Sequence, residues 1–346
     1  RVRKARGTVR RSQRMLKIVF MGTPDFAAES LKKVYEAGHE IEAVVTNPDK
    51  PKGRGMKMVS SPVKQFAEEK GLRILQPQKV RNNTEFIDEI KKLNPDVICV
   101  VAYGKILPKE LLEIPKLGCI NVHGSLLPKY RGAAPIQWAV LNGDKTTGIT
   151  TMYMNEGMDT GDMILKEEVK IGDDETTGEL WSRLAEVGAN LLVKTLKLIE
   201  AGKAPREKQG EDFTLAPMLD KGMAEIDWKN KTAAEIKNLV RGLNPIMGAF
   251  SYWNGKKIKF WKVDILSEEE LKNEYPELRE YEYKMPDIEP GTVLFSDAKK
   301  GLYIKAKEGI LKVLEIQGEN AKRMSVGDFL RGNAINAGTQ LGTSTI

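Results

Sequence analysis

The sequence holds very little of what metal centres and disulfide frameworks are made from. Of its 346 residues, two are cysteine and two are histidine. Cys99 and Cys119 both lie in apolar runs, so they read as reduced thiols, and a disulfide scaffold or Cys-based zinc site is excluded by number. His39 and His123 are too few for a His-rich metal centre, so no metal is expected. His39 follows a helical stretch, has no partner acid in a motif, and reads as a surface residue. Long apolar runs are missing as well. The longest, Val97 to Tyr103, has a buried strand's length, well short of the ~18 residues that a membrane span needs. Neither G-x-G-x-x-G nor G-x-x-x-x-G-K-[ST] occurs, which leaves NAD and ATP without support as ligands. Acids are absent from residues 1–14, whose seven basic residues account for the whole net charge of +7. The remainder is balanced, so any nucleic-acid site must come from local clustering rather than from the bulk charge.

What is present is an ordinary globular composition at a length that suits two domains. Residues 1–14 read as a disordered basic leader, and Leu16 opens a first strand. Short apolar runs then alternate with helical segments, the pattern of a doubly wound, Rossmann-like α/β domain over 15–202. Strands are expected at 16–21, 41–46, 72–75, 96–102, 118–122, 148–154 and 162–171. Helices are expected at 24–37, 61–70, 83–93 and 133–141. Thr176-Thr177-Gly178-Glu179 is a capping box for a further helix that Gly202 ends. Residues 203–217, with Pro205 and Pro217, read as a linker. Over 218–331 a helix at 232–242 precedes strands at 248–253, 257–263, 291–295, 301–305 and 311–316, which suggests a small OB-like β-barrel. Residues 264–289 carry ten acids against three bases and read as a solvated loop. The Gly-, Thr- and Asn-rich tail, 332–346, reads as frayed.

The densest segment for chemistry is Gly118 to Pro128. On a strand, Asn121 and His123 are two apart and project from one face, at the end where α/β folds place ligands. Glycine and proline just beyond let the backbone turn and present amides to a flat ligand. The same residues also fit a strand end with a satisfied histidine, and spacing alone favours that plainer reading. The loop 49–64 holds Lys50, Lys52, Arg54, Lys57 and Lys64 against Asp49. By itself it reads as a solvated charged face. Residues 252–262 interleave aromatics with lysines across an expected hairpin, which suits phosphate contacts and stacking. Period-two alternation sends half of those aromatics to a core, so Lys256, Lys257 and Lys259 are the contact candidates.

Four stretches stand in order: Gly22-Thr23-Pro24-Asp25-Phe26, the run from Asn47 through Pro51-Lys52-Gly53-Arg54-Gly55 to Lys64, Ile120 to Gln137, and Gly157 to Met163. Through them the chain resembles the 10-formyltetrahydrofolate-dependent formyltransferases, and more narrowly the methionyl-tRNA formyltransferase family, from Met15 to about Leu330. The resemblance implies transfer of the formyl group of 10-formyltetrahydrofolate to the amino group of methionyl-initiator-tRNA. It implies Asn121, His123 and Asp159 as catalytic residues, and Ser125, Leu126, Leu127 and Pro128 as the folate-binding stretch. The basic loop, Arg54 above all, together with Lys50, Lys52 and Lys57, would take the acceptor end of tRNA. Phe26 and Trp181 are aromatic candidates for the methionyl side chain, and both also fit a core. Asp162 reads as structural. Such an enzyme would be cytoplasmic, without a membrane partner, and by default monomeric. Glycinamide ribonucleotide formyltransferases, which are typically one domain, would leave the C-terminal part unexplained. Sugar-nucleotide formyltransferases lack the basic loop, and a non-catalytic RNA binder has no need of Asn121, His123 and Asp159.

Overall fold

The computed structural model describes residues 15–273, 275, 278 and 287–342. The basic leader expected over 1–14, most of 276–286 and the last four residues of the tail lie outside the described residues. In chain order the first half comprises β1 (Lys17–Gly22), α1 (Asp25–Glu36), β2 (Glu40–Val45), β3 (Lys50–Lys52), β4 (Lys57–Val59) and α2 (Pro62–Glu69). There follow β5 (Ile74–Leu75), α3 (Thr84–Leu93), β6 (Val97–Val101), α4 (Lys109–Leu112), β7 (Cys119–His123) and α5 (Pro135–Leu141). β8 (Thr146–Tyr153), β9 (Met163–Lys170) and α6 (Thr177–Glu200) complete it.

Seven of these strands form one sheet in the order β5-β2-β1-β6-β7-β8-β9. Pairings from β5 through β7 are parallel, and β7 meets β8 antiparallel. The order reverses between β1 and β6, so the crevice beyond their carboxyl ends is the natural ligand site of such a sheet. All five residues of β6, Val-Ile-Cys-Val-Val, are buried, as expected of a central parallel strand covered on both faces. Helix starts follow the local chemistry. Ser61 accepts from Lys64 N at 3.0 Å, Asn83 from Phe86 N at 3.1 Å and Thr176 from Glu179 N at 3.2 Å, each satisfying an otherwise orphaned amide. Gly22 ends β1 where a Cβ would lie 2.6 Å from the carbonyl oxygen of Val101. That glycine serves the close approach of β1 and β6 and belongs to no phosphate loop.

By its contacts the chain divides into two compact units that do not follow chain order. One holds residues up to Pro128, Ile149–Glu167 and Leu184–Asp212; the other holds Lys129–Gly148, Glu168–Arg183 and Phe213 onward. The second unit contains α7 (Ala233–Gly242), β10 (Ala249–Trp253), β11 (Lys256–Ile265), α8 (Glu268–Asn273), β12 (Val293–Asp297) and β13 (Gly301–Lys305). After these come β14 (Ile310–Gln317), β15 (Met324–Ser325) and α9 (Val326–Gly332). Its strands form an antiparallel sheet, β10-β11-β14-β13-β12, around a core that includes Trp228, Phe260, Leu302, Ile316 and Phe329.

Three expectations are corrected here. The tail does not fray within the described residues. Ile335 and Leu341 are buried, while Gln340 bridges Thr292 and Gly342 bridges Tyr252, so the tail ties the β10 edge to the β12 edge. Its glycines and polar residues obscured two well-spaced apolar anchors. The acidic stretch 264–289 is not only solvated loop. It contains α8, and Leu266, Tyr275 and Leu278 pack with Leu294, Tyr303 and Ile310 as a small second core. Counting charges hid those apolar residues. His39 is buried rather than on the surface, at 8% exposure, and its Nδ1 has no hydrogen-bond partner among the described residues. Burial pushes its imidazole below the ordinary value, with Glu200 opposing and Lys197 adding to the effect.

Candidate active site

β7 ends at the carboxyl edge of the sheet with Asn121 and His123 on one face and buried Val122 on the other, as strand alternation requires. Asn121 donates from Nδ2 to the carbonyl oxygen of Val100 at 3.1 Å, which turns its amide nitrogen toward β6 and leaves the side chain partly accessible. His123 is 6% exposed, and its Nδ1 lies 3.7 Å from Oδ2 of Asp159, whose side chain is 18% exposed. That separation is an ion-pair distance, longer than a hydrogen bond.

Asp159 is delivered by a turn between β8 and β9 that hydrogen bonds and close packing restrain at several positions. Its own φ is +55°, a left-handed conformation uncommon for residues other than glycine and adopted most readily among them by Asp and Asn. Oδ1 of Asn155 accepts from Gly157 N at 3.0 Å and from Thr160 Oγ1 at 2.7 Å. A Cβ on Gly161 would stand 1.6 Å from the carbonyl oxygen of Tyr153, so no other residue fits there without moving the strand. Asp162 pairs with Arg206 at 3.2 Å, and the guanidinium lies 3.9 Å from the ring centre of Tyr153.

The turn after β7 is stapled by Thr150. Its Oγ1 accepts from Leu127 N at 3.0 Å and donates to the carbonyl oxygen of Ser125 at 2.7 Å, in full burial. Leu127 packs with Met152 and Met163, and the Leu127–Pro128 peptide is cis. Among the four residues of the expected folate stretch, Ser125 and Leu127 are turned inward and shape the turn, whereas Leu126 and Pro128 keep accessible surface. Cys99 and Cys119 are free and buried, and burial raises both thiols, Cys119 to about 12. Neither is a thiolate nucleophile. Among the described residues no three His, Cys, Asp or Glu side chains gather into a metal-ligating group.

The basic loop is a short hairpin, β3 against β4, with Lys50, Lys52, Arg54 and Lys57 all exposed. Lys64 does not join them; it pairs with Asp49 at 2.8 Å. Bonds from Lys64 and Gln76 hold the Asp49 carboxyl below its usual range and tie down the base of the hairpin. Gly53 and Gly55 have nothing within 4 Å of a would-be Cβ. On β11, Lys256 and Lys257 are exposed, and Lys257 Nζ lies 4.1 Å from the ring centre of Phe250. Lys259 donates to the Met247 carbonyl at 3.1 Å. Phe26 is buried at 4% exposure with its ring near Gly188 of α6, and Trp181 is partly buried on the same helix. The structure thus brings Asn121, His123 and Asp159 together. It adds Thr150, Gly161 and Gln209, of which only Gly161, inside Asp-Thr-Gly-Asp, had a sequence signal. Among the described residues no helix is long and apolar enough to cross a membrane.

Known proteins share this organisation. The Formyl transferase profile matches residues 16–196, and that of the Formyl transferase C-terminal domain matches 218–334. The methionyl-tRNA formyltransferase of Clostridioides difficile is 51% identical over 94% of this chain and all of its own length. That of Caldanaerobacter subterraneus is 50% identical over the same shares. Among solved structures, an N-formyltransferase from Helicobacter canadensis in complex with folinic acid and dTDP-3-aminofucose superposes with TM-score 0.61 at 19% identity, covering 88% of this chain and all of that one. HypX from Aquifex aeolicus, in complex with tetrahydrofolic acid, gives 0.59 at 14% identity over 92% of this chain, which spans about half of that longer protein. At such identities these two establish the fold.

Proposed function

Because this chain belongs to the formyl transferase family in both its N-terminal and C-terminal domains, we propose that it formylates the α-amino group of methionyl-initiator-tRNA, with 10-formyltetrahydrofolate as donor. Identity near one half over the whole length of methionyl-tRNA formyltransferases supports that choice of acceptor. The observation that carries the chemistry is the Asp159 carboxylate 3.7 Å from Nδ1 of His123, beside Asn121 on the same strand face. The free amine attacks the formyl carbon, the carbonyl becomes a tetrahedral oxyanion, and the bond to the folate nitrogen breaks as that nitrogen takes a proton. Nδ2 of Asn121 and a ring N–H of His123 supply donors where the negative charge develops. Asp159 orients the imidazole and supports its positive charge while the proton from the attacking nitrogen is passed on. No covalent enzyme intermediate is needed.

The folate ring is read as lying against Leu126 and Pro128, in the turn that Ser125, Leu127 and Thr150 hold rigid. Phe26 and Trp181 stand as candidates for the methionyl side chain. Lys50, Lys52, Arg54 and Lys57 on the open hairpin, and Lys256, Lys257 and Lys259 on β11, are read as phosphate contacts for tRNA. One chain carries every group named, so the protein is read as a monomer, and as acting in the cytoplasm, which suits a reaction on initiator tRNA. The test offers purified protein and 10-formyltetrahydrofolate with charged initiator tRNA, an aminated sugar nucleotide or glycinamide ribonucleotide. Formylation of Met-tRNA is expected; formylation of either small acceptor but not of Met-tRNA would end this reading.

A further inference from the structure

The segment after α6 carries Gln209, which no motif marks and the mechanism above does not use. Its Nε2 donates to the carbonyl oxygens of Asp159 at 2.7 Å and Gly161 at 2.9 Å. Both partners are main-chain acceptors, so only the amide nitrogen can face them, and one NH2 group grips the backbone on both sides of Thr160. The segment is itself anchored. Glu207 exchanges both main-chain hydrogen bonds with Met163, at 2.9 and 2.8 Å, and Arg206 pairs with Asp162. Residues 206–209 therefore lie along the start of β9 and hold the turn that presents Asp159. We infer that Gln209 is a positioning residue, which keeps Asp159 in its left-handed conformation with the carboxylate toward His123. The inference rests on the role proposed for Asp159. Gln209 acts through that residue's main chain, where a displacement of about 1 Å can cost on the order of 100-fold in rate.

The experiment is steady-state kinetics with Met-tRNA and 10-formyltetrahydrofolate on Gln209→Leu, Gln209→Glu and Gln209→Lys, each also combined with Asp159→Asn. Leu removes both bonds, Glu keeps the shape but sets a carboxylate against two carbonyls, and Lys restores a donor able to reach both. Expected are falls in kcat of roughly 10- to 100-fold for Leu and Glu, with both KM values within about twofold of the parent, and substantial recovery with Lys. A packing role would give no such order, because Glu preserves volume better than Lys. In the Asp159→Asn background Gln209→Leu should add no further loss, since the two act as one unit. Thermal midpoints of all variants separate misfolding from misplacement, and the Lys variant keeps the test open if Leu fails to fold. Full turnover in Gln209→Leu while Asp159→Asn is impaired, or losses that multiply in the double variant, would overturn the inference. Full turnover in Asp159→Asn would instead remove the role assigned to Asp159, and the two failures are thereby distinguishable.

Discussion

Two loops of the first unit look alike in sequence and behave as opposites in space. Both 155–162 and 49–60 are short, polar, glycine-containing connections. In the first, Asn155, Gln209 and Arg206 occupy side-chain and main-chain groups alike, and Gly161 has no room even for a Cβ. In the second, restraint stops at the base, where Asp49 meets Lys64 and Gln76; beyond it Gly53 and Gly55 face open space and four cations stand exposed. The difference suits the tasks proposed for the two loops. A carboxylate that steers one imidazole must be held to a fraction of an ångström. A cationic loop that meets a phosphate backbone gains from reach and exposure, because its contribution is largely counterion release.

The contrast can be broken most severely at its pinned end. Asp159→Asn should keep folate binding, followed by ligand fluorescence or calorimetry, yet lose at least ~100-fold in turnover. His123→Ala should match it, and the double variant should be no worse than the poorer single. Parent-like turnover in Asp159→Asn would show that the restraint serves no chemistry. A glycine pair comes next. Gly161→Ala should destabilise the protein by roughly 1–3 kcal/mol through overpacking against Tyr153, whereas Gly55→Ala should leave the thermal midpoint within about a degree of the parent, since surface changes free of special contacts cost little. Equal effects in the two melting curves would erase the distinction between the loops.

At the open end the expected changes are smaller and concern binding. Arg54→Ala should raise the KM for Met-tRNA several-fold and leave that for the folate donor unchanged. It should also reduce the salt slope of tRNA binding by about 0.7–0.9, one phosphate contact. Measuring this in a chain that begins at Met15 keeps the seven charges of residues 1–14 from masking the loss. Unchanged kinetics across a salt series would reduce the hairpin to a solvated face.

The two histidines sharpen the same contrast at the smallest scale. His39 and His123 are almost equally buried, at 8% and 6% exposure, but only His123 has a carboxylate beside Nδ1. Burial lowers the affinity of His39 for its proton below the ordinary value of 6.5. Between the folded and the ordinary value the unfolded chain carries more protons, so this contribution to stability is complete above about pH 6.5 and is lost as pH falls toward and through the folded value. His39→Gln should flatten the pH dependence of the melting temperature below about 6.5 and leave turnover intact. A turnover defect would mean that burial of an imidazole matters to catalysis even without a partner acid.

Local pattern alone determined much of this protein. Alternation, caps and apolar runs placed eighteen of the strands and helices within about two residues, because each is decided by near neighbours in the chain, but they did not mark β3, β4, β15, α4, α8 or α9. Strand parity put Asn121 and His123 on one face, and the ordered motifs supplied the family and, through it, Asp159. Tertiary structure decided what depends on residues far apart in the chain. Nothing near Gln209 marks it, since its partners are carbonyls 48 and 50 positions earlier. Thr150 becomes a staple only when β8 lies antiparallel to β7. The tail looked frayed because its two anchors, Ile335 and Leu341, are too sparse for a periodic signal and need the edges of β10 and β12 to bind. The absence of a partner acid in a motif likewise says nothing of where His39 lies, because its burial depends on the packing of the folded unit. Backbone hydrogen bonds and burial are satisfied wherever the folded chain brings a partner, and sequence distance carries no record of that.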